Sequence, residues 1–327
     1  MKAIVDDKIP FIRGQIEQLV DEVTYMPGST ISALDVSDAD ILIVRTRTRC
    51  NQSLLEGSSV KLIVTATIGF DHVDTDYCTS HGIEWTNCPG CNAHSVCCYV
   101  MNAIEAMDAN HGPTTIGIVG VGHVGTEVAI AARKQGMHLL LCDPLRQQRD
   151  ERFEPYIPFV SLNQIAAEAD IITFHTPLTT EGLYPTYHLA DTAFFSHLKR
   201  QPIIINASRG AVVDNSALFR ALQTGQVQDA VIDTWEGEPL NINTHLLQRV
   251  SIGTPHIAGY SVNGKANATR MTLNYVARFL GIPFEPHIEI PTAEKLSVDT
   301  LLSDSVNLKH NPSLFEALRE RYPIRCE

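Results

Sequence analysis

The 327-residue chain has no excess of positive charge, no long apolar run near its start, and none of the dense, evenly spaced cysteine pattern of a small secreted scaffold. Each absence excludes something. With 37 acidic against 25 basic side chains the net charge is -12. That balance argues against a nucleic-acid or anionic-membrane surface as partner. It also requires that any anionic small molecule be met by a local cluster of Arg or Lys. The opening MKAIVDDKIP carries charges within its first eight residues, so neither a signal peptide nor a membrane span is expected. Eight scattered cysteines are read as reduced thiols in a cytoplasmic chain. Low-complexity tracts and short-period repeats are missing as well. What is present is 44% hydrophobic residues, enough to bury a core, in a length that suggests about two domains.

Short β-branched runs recur along the chain: Ala3 to Val5, Ile41 to Val44, Leu62 to Val64, Ile116 to Val119, Leu139 to Leu141, Ile171 to Phe174, Ile203 to Ile205, and Val231 to Ile232. Helical periodicity fills most of the gaps, as in Gly125 to Gln135 before Gly136 and Ser216 to Gln223 before Gly225. Strands alternating with helices predict an α/β fold of parallel sheets covered on both faces. There are two such series. The first runs to about residue 90. The second starts near Thr114, after the break Asn110-His111-Gly112-Pro113, and ends near Pro255. Gly264 to Leu280 reads as a long helix that returns to the first series. From Glu285 onward the pattern is weak, with one amphipathic helix expected at Ser313 to Tyr322.

The strongest local signal is Gly120-Val121-Gly122-His123-Val124-Gly125. It follows an apolar strand and opens a helix, which is the context a dinucleotide fingerprint requires. Gly120 permits the tight turn, Gly122 lets backbone approach a pyrophosphate, and Gly125 lets helix and strand pack closely. The helix N-terminus then faces the phosphates. Eighteen residues after Gly125, Asp143 closes the next strand. A carboxylate there accepts from ribose hydroxyls and repels a 2′-phosphate, which selects NAD over NADP.

Three downstream segments sit at expected strand ends, where open α/β sheets bind ligands. They are Asn206 to Gly210, Asp233 to Pro239 and Gly253 to Tyr260, and they supply Arg209, Glu238 and His256. Oxidising a 2-hydroxy acid needs these kinds of group. A guanidinium grips the substrate carboxylate at two points, an imidazole takes the hydroxyl proton, and a carboxylate on the other ring nitrogen fixes the tautomer. Each residue alone also reads as a solvated strand-end charge, a loop acid or a partly buried histidine. Their joint appearance after a dinucleotide fingerprint favours the catalytic reading.

Gly69-Phe70-Asp71-His72-Val73-Asp74, Gly120 to Gly125, Phe174 to Leu178, Asn206 to Val213, Asp233 to Pro239 and Pro255-His256 resemble the motifs of the D-isomer-specific 2-hydroxyacid dehydrogenase family. Pro89 to Ala93, His188-Leu189-Ala190-Asp191, Asp233 to Pro239 and Ile252 to Tyr260 narrow the likeness to a branch that oxidises a phosphorylated four-carbon 2-hydroxy acid in the route to pyridoxal phosphate. The resemblance covers residues 1 to about 285. It implies two Rossmann-like domains: a substrate domain of 1–93 plus 257–285, and an NAD-binding domain of 94–256, with the active site in the cleft. It implies His256 as the proton-transferring residue beside Arg209 and Glu238, and Thr46, Thr67 and Tyr260 as substrate contacts. His123, Val124, Asp143, Thr176, Ala207, Ser208, Asp233 and Gly259 would line the cofactor. A homodimer is the family expectation, although 286–327 reads as a short remnant of the family's C-terminal dimerisation region. Phosphoglycerate, glycerate or lactate stand as other substrates on this scaffold, and an NADH-sensing corepressor stands as the reading from another class.

Two clusters stay open at this point. Arg45, Arg47 and Arg49 alternate with Thr46 and Thr48, which puts the three guanidinium groups on one face if the strand continues. Arg45 is then a candidate for the 4-phosphate, against a solvated edge. Cys88, Cys91, His94, Cys97 and Cys98 have spacing compatible with zinc. The helical pattern through Val96, Val100, Ala103 and Ile104 offers a packed interior for Cys97 and Cys98 instead, and no metal is expected.

Overall fold

The computed structural model describes residues 1–107, 114–154, 156–323 and 325–327. The break at 110–113 lies outside the described residues. The chain divides into two compact units, Met1–Asn92 with Ser261–Ala293, and Ala93–Tyr260 with Glu294–Glu327.

The first unit carries β1 (Lys2–Asp6), β2 (Glu22–Met26), β3 (Ile41–Val44), β4 (Leu62–Thr65) and β5 (Glu84–Thr86). They form one sheet in the order β2-β1-β3-β4-β5, every pairing parallel. Alternation sorts the strand side chains to two faces. Ala3, Val5, Ile41, Ile43, Leu62 and Val64 pack with Leu273, Val276 and Ala277 of the helix Val262–Leu280. Ile4, Leu42, Val44 and Ile63 pack with Val36, Leu54 and Leu55. The long helix opens on Ser261, whose side chain accepts from the Gly264 N–H, and stops at Gly281, φ 67°.

The second unit holds β6 (Thr115–Val119), β7 (His138–Cys142), β8 (Ile171–Phe174), β9 (Ile203–Asn206), β10 (Asp229–Ile232) and β11 (Ile252–Gly253). Their order is β11-β10-β9-β8-β6-β7, again parallel. The same alternation operates here. Ile116, Ile118, Leu139, Leu141, Ile203 and Ile205 face the helices Ala93–Ala106 and His123–Lys134. Leu140, Ile172, Phe174, Ile204 and Ile232 face Ile165, Leu218 and Leu246 on the other side. Each fully buried aliphatic side chain contributes about 1.5–3 kcal/mol, so both faces are needed. In each sheet the order reverses beside the first strand, at β1/β3 and β6/β8. Such switch points open a crevice at the carboxyl ends of the strands.

All eight expected runs lie within strands. β2, β5 and β11 were not among them. Each is an edge strand; β2 and β5 are only partly buried, and β11 has two residues. They lack the continuous apolar run of a strand buried on both faces. One further expectation fails. β3 ends at Val44, and Arg45–Thr48 is a turn with Thr48 N–H donating to Arg45 O at 3.4 Å. The three arginines therefore do not share a strand face. After Glu285 the helix expected within Ser313 to Tyr322 is present as Phe315–Glu320, but the chain holds a longer helix that was not expected, Val298–His310, which buries Leu301, Ser305 and Leu308. With a serine among three buried positions, the apolar stripe is too thin to stand out.

The cysteine cluster is packed rather than gathered. Cys88 Sγ lies 3.3 Å from Ala268 O, to which it donates. Cys97 belongs to the second unit's core, and burial pushes its thiol up to about 12. Among the described residues no group of three His, Cys, Asp or Glu is placed to hold a metal ion, and no helix is long and apolar enough to cross a membrane.

The helix Val298–His310 is a part of the second unit's core. Leu308 is fully buried, so Leu308→Ala should cost about 2–5 kcal/mol of that unit's stability. Urea unfolding in a Trp85→Phe background, where Trp235 alone reports, measures it; a change under about 0.5 kcal/mol would show that the helix is dispensable.

Candidate active site

The glycine loop follows β6 at the switch point of the second sheet. Gly120 has φ +88°, and a Cβ there would stand 2.6 Å from His175 O. A Cβ on Gly125 would stand 2.0 Å from Gly120 O. Both positions therefore demand glycine, one for conformation and contact, the other for close approach. Gly122 is the N-cap of the helix His123–Lys134 and offers no side-chain cap. A Cβ built on it meets nothing within 4 Å. The helix thus starts with backbone N–H groups of the kind that bind phosphate. His123 is exposed and Val124 half-buried in the first turn.

Asp143 stands at the end of β7. Its carboxylate accepts from Val121 N–H at 3.1 Å and from Arg146 N–H at 3.1 Å, so it caps the helix Pro144–Gln148 and holds the glycine loop. Arg146 was not singled out in the sequence. It donates to Val121 O at 2.8 Å and to Glu151 at 2.7 Å, and Glu151 neutralises it. Thr176 Oγ1 is buried with no hydrogen-bond partner among the described residues. A tight glycine turn, an open helix start, a strand-end carboxylate and an orphaned buried hydroxyl fit a dinucleotide.

The second half of the site lies on the loops after β9, β10 and β11. After β9, Asn206 Oδ1 accepts from the N–H and hydroxyl of Ser208 at 3.1 and 2.8 Å, and Asn206 Nδ2 donates to Arg209 O at 3.0 Å. This knot carries Ala207 and Ser208 and presents Arg209, whose guanidinium donates to Ser208 O at 2.9 Å. A Cβ on Gly210 would meet the Trp235 carbonyl carbon at 2.1 Å, so the β9 loop lies directly on the β10 loop.

After β10, Asp233 is 1% exposed. Its carboxylate accepts from Thr254 Oγ1 at 2.7 Å, Ile257 N–H at 2.7 Å and Ala258 N–H at 2.9 Å. The His256 N–H donates to Asp233 O at 2.8 Å. Trp235 Nε1 donates to Thr254 O at 2.9 Å, and Trp235 N–H donates to Glu238 Oε2 at 2.9 Å. Neither Trp235 nor Thr254 was picked out as functional, because a buried Trp and Thr read as core.

These clamps bring His256 and Glu238 together. His256 holds a left-handed backbone, φ 56°, a conformation that costs a non-glycine residue about 1–3 kcal/mol. Its Nδ1 and Glu238 Oε1 form a short charge-assisted hydrogen bond, and a third of the histidine side chain reaches solvent. Burial works against charge on His256, but the Glu238 carboxylate, its hydrogen bond and Asp233 outweigh it and raise the pKa; Arg209 pulls the other way. Burial likewise opposes ionisation of Glu238, yet His256 and the Trp235 N–H hold its carboxyl below the usual value. The two shifts fix a pH window. The raised His256 stabilises the fold fully below its ordinary 6.5 and loses that as pH rises through its folded value. The lowered Glu238 does so above 4.5 and loses it as pH falls through its folded value. The pair is intact between them.

Tyr260 packs edge-on against Tyr322 with ring centroids 6.1 Å apart, and Gly259 precedes it on the same loop. Arg45, Thr46 and Thr67 belong to the first unit. Arg45 Nε lies 3.4 Å from the buried Asp6 carboxylate, and Thr46 is exposed on the turn after β3. Thr67 Oγ1 lies 2.8 Å from Thr65 Oγ1 and donates to Gly69 O at 2.9 Å. Lys265, in the first turn of the long helix, has its pKa lowered by burial and then by the Arg45 charge. Two cations thus share the carboxyl end of the first sheet's switch point, and a lone helical Lys carried no signal of that in the sequence.

Gly125→Ala should weaken NADH binding at least about tenfold, because the methyl must displace the Gly120 carbonyl. Titration of NADH fluorescence reads it, and wild-type affinity would show that the loop is not the cofactor cradle.

The family model for the D-isomer specific 2-hydroxyacid dehydrogenase NAD-binding domain matches residues 102–258. The chain is 51% identical to the erythronate-4-phosphate dehydrogenase of Bacteroides thetaiotaomicron over 100% of this chain and 97% of the relative. It is 44% identical to the erythronate-4-phosphate dehydrogenase of Escherichia coli O81 over 89% of this chain and 76% of the relative. D-lactate dehydrogenase from Aquifex aeolicus, solved with NAD and lactic acid, superposes with a TM-score of 0.69 at 25% identity, covering 86% of this chain and 96% of that one. The match extends across both units and through the loops that carry Arg209, Glu238 and His256, and the chain belongs to the D-isomer specific 2-hydroxyacid dehydrogenase family.

Proposed function

We propose that the chain oxidises 4-phospho-D-erythronate at C2 to (R)-3-hydroxy-2-oxo-4-phosphooxybutanoate with NAD, a step toward pyridoxal 5′-phosphate. The observation that carries the chemistry is the His256–Glu238 pair, held at one end of a parallel sheet with Arg209 close enough to act on the His256 charge. The substrate rests on near-full-length identity to relatives of that name.

Gly120, Gly122, Gly125 and the start of the following helix would hold the pyrophosphate, Asp143 the adenosine ribose, and Thr176, Ala207, Ser208, Asp233 and Gly259 the remainder of NAD. When bound, NAD supplies the acceptor for the C2 hydride. Arg209 grips the substrate carboxylate. His256, with Nδ1 engaged by Glu238, presents Nε2 to the C2 hydroxyl and takes its proton. Glu238 fixes the ring and stabilises the imidazolium that results. Because Glu238 raises the His256 pKa, oxidation should gain as pH rises through that value, and reduction should gain as pH falls.

Thr46, Thr67 and Tyr260 are assigned to the substrate, and Arg45 to its phosphate. In a chain of net charge -12, the Arg45–Lys265 region is a place where a phosphate meets concentrated positive charge. The reading includes a cytoplasmic homodimer, for which light scattering should give twice the chain mass.

NADH formation should be fastest with 4-phospho-D-erythronate when 3-phosphoglycerate, glycerate and lactate are compared. His256→Asn should lower kcat by about 10²–10⁴ with little change in NADH affinity. Preference for an unphosphorylated acid, or an active His256→Asn enzyme, would overturn the assignment. Arg45→Ala should raise KM for the phosphorylated acid about tenfold; an unchanged KM removes Arg45 from the phosphate site.

A further inference from the structure

The segment His188-Leu189-Ala190-Asp191 has no part in the chemistry above, yet it is built into the loops that carry it. His188 N–H donates to Ala211 O at 2.7 Å and Ala190 N–H to Val212 O at 3.1 Å, while Asp214 N–H returns to Ala190 O at 3.1 Å. The segment thus runs alongside the backbone that follows Arg209. His188 also adopts a left-handed backbone, φ 50°, which a histidine keeps only where its surroundings over-determine it.

The imidazole of His188 is held in place by several partners. Its Nε2 pairs with Glu236 Oε1 at 2.6 Å, and its Nδ1 faces Asp214 at 3.9 Å. The ring stacks on Tyr187 with centroids 4.0 Å apart. Glu236 Oε2 accepts from Asn215 N–H at 2.8 Å, and Glu236 N–H donates back to Asn215 Oδ1 at 3.3 Å. Glu236 is therefore stapled on one side to the start of the helix that follows the Arg209 loop and joined on the other, through Gly237, to Glu238. Across the staple, Gly210 and Trp235 touch backbone to backbone.

We propose that His188 and Glu236 form a positioning couple that sets the Glu238 carboxylate, and through it His256, against Arg209. The couple touches no reacting atom. It acts by fixing the β10 loop on the β9 loop, so that the carboxylate that orients His256 and the guanidinium that grips the substrate stay in one frame. Misplacement of such groups by even about 1 Å costs on the order of 10²-fold in rate. The inference rests on the catalytic assignment for its kinetic consequence, but its structural claim is read without turnover.

His188→Ala removes the staple, and His188→Gln keeps an amide donor for Glu236. Histidine-labelled protein gives the His256 titration by NMR, and that titration reports where Glu238 stands. In His188→Ala the His256 pKa should fall toward its ordinary 6.5, kcat should drop about tenfold with KM for NAD within about twofold, and His188→Gln should restore most of both. An unchanged His256 titration in His188→Ala, or equal losses in the two variants that follow their loss of thermal stability, overturns the proposal. Failure of the catalytic reading has a different signature, since wild-type protein would then not turn over while His256 still titrates high.

Discussion

The site depends on one buried carboxylate. Asp233 gives up water almost entirely, and burial raises its pKa against the pull of His256 and its hydrogen-bond donors. A lone charge in that position would be strongly unfavourable. Three donors from one short stretch, Thr254, Ile257 and Ala258, satisfy it. The stretch includes His256, which is thereby forced into a left-handed turn and aimed at Glu238. Removing the Asp233 contacts would leave the histidine backbone without a reason to hold its strained angle.

From that anchor the rest follows in a chain of short links. Trp235 ties the β10 loop to Thr254 and to the Glu238 carboxylate, and Gly210 brings the Arg209 loop onto Trp235. Asn206 knots the Arg209 loop to the end of β9. Arg209, Glu238 and His256 therefore all sit on loops that follow strands of a sheet buried on both faces. The acidic balance of the chain makes this necessary. Positive charge is scarce, and it counts only where the fold gathers it: Arg209 near His256, and Arg45 with Lys265 at the other sheet's switch point.

The strands buried on both faces were legible because each is built on a continuous apolar run, as in Ile41–Val44 and Ile203–Ile205. The edge strands β2, β5 and β11 were not, since β2 and β5 are only partly buried and β11 is two residues long. The glycine motif, Asp143, Arg209, Glu238 and His256 stood out in the sequence because each lies on a segment that follows an apolar run. What stayed hidden was whatever depends on a bond across sequence: Asp233 as the clamp of the His256 turn, Lys265 beside Arg45, and the engagement of Glu236 by His188. The arginine alternation after β3 misled for the same reason. Periodicity says nothing of where a strand ends, and Arg45 turns away to meet Asp6.

The central claim is that Glu238 sets the protonation of His256 and that His256 moves the proton. The most direct test is the pH dependence of kcat/KM for oxidation in wild type and Glu238→Gln. Both enzymes act on the same substrate, so its own ionisation cancels in the comparison. The account predicts a wild-type acid limb above the ordinary histidine value of 6.5, moved to lower pH and accompanied by a large fall in kcat when the Glu238 charge is removed. An acid limb at the same pH in both enzymes would contradict it.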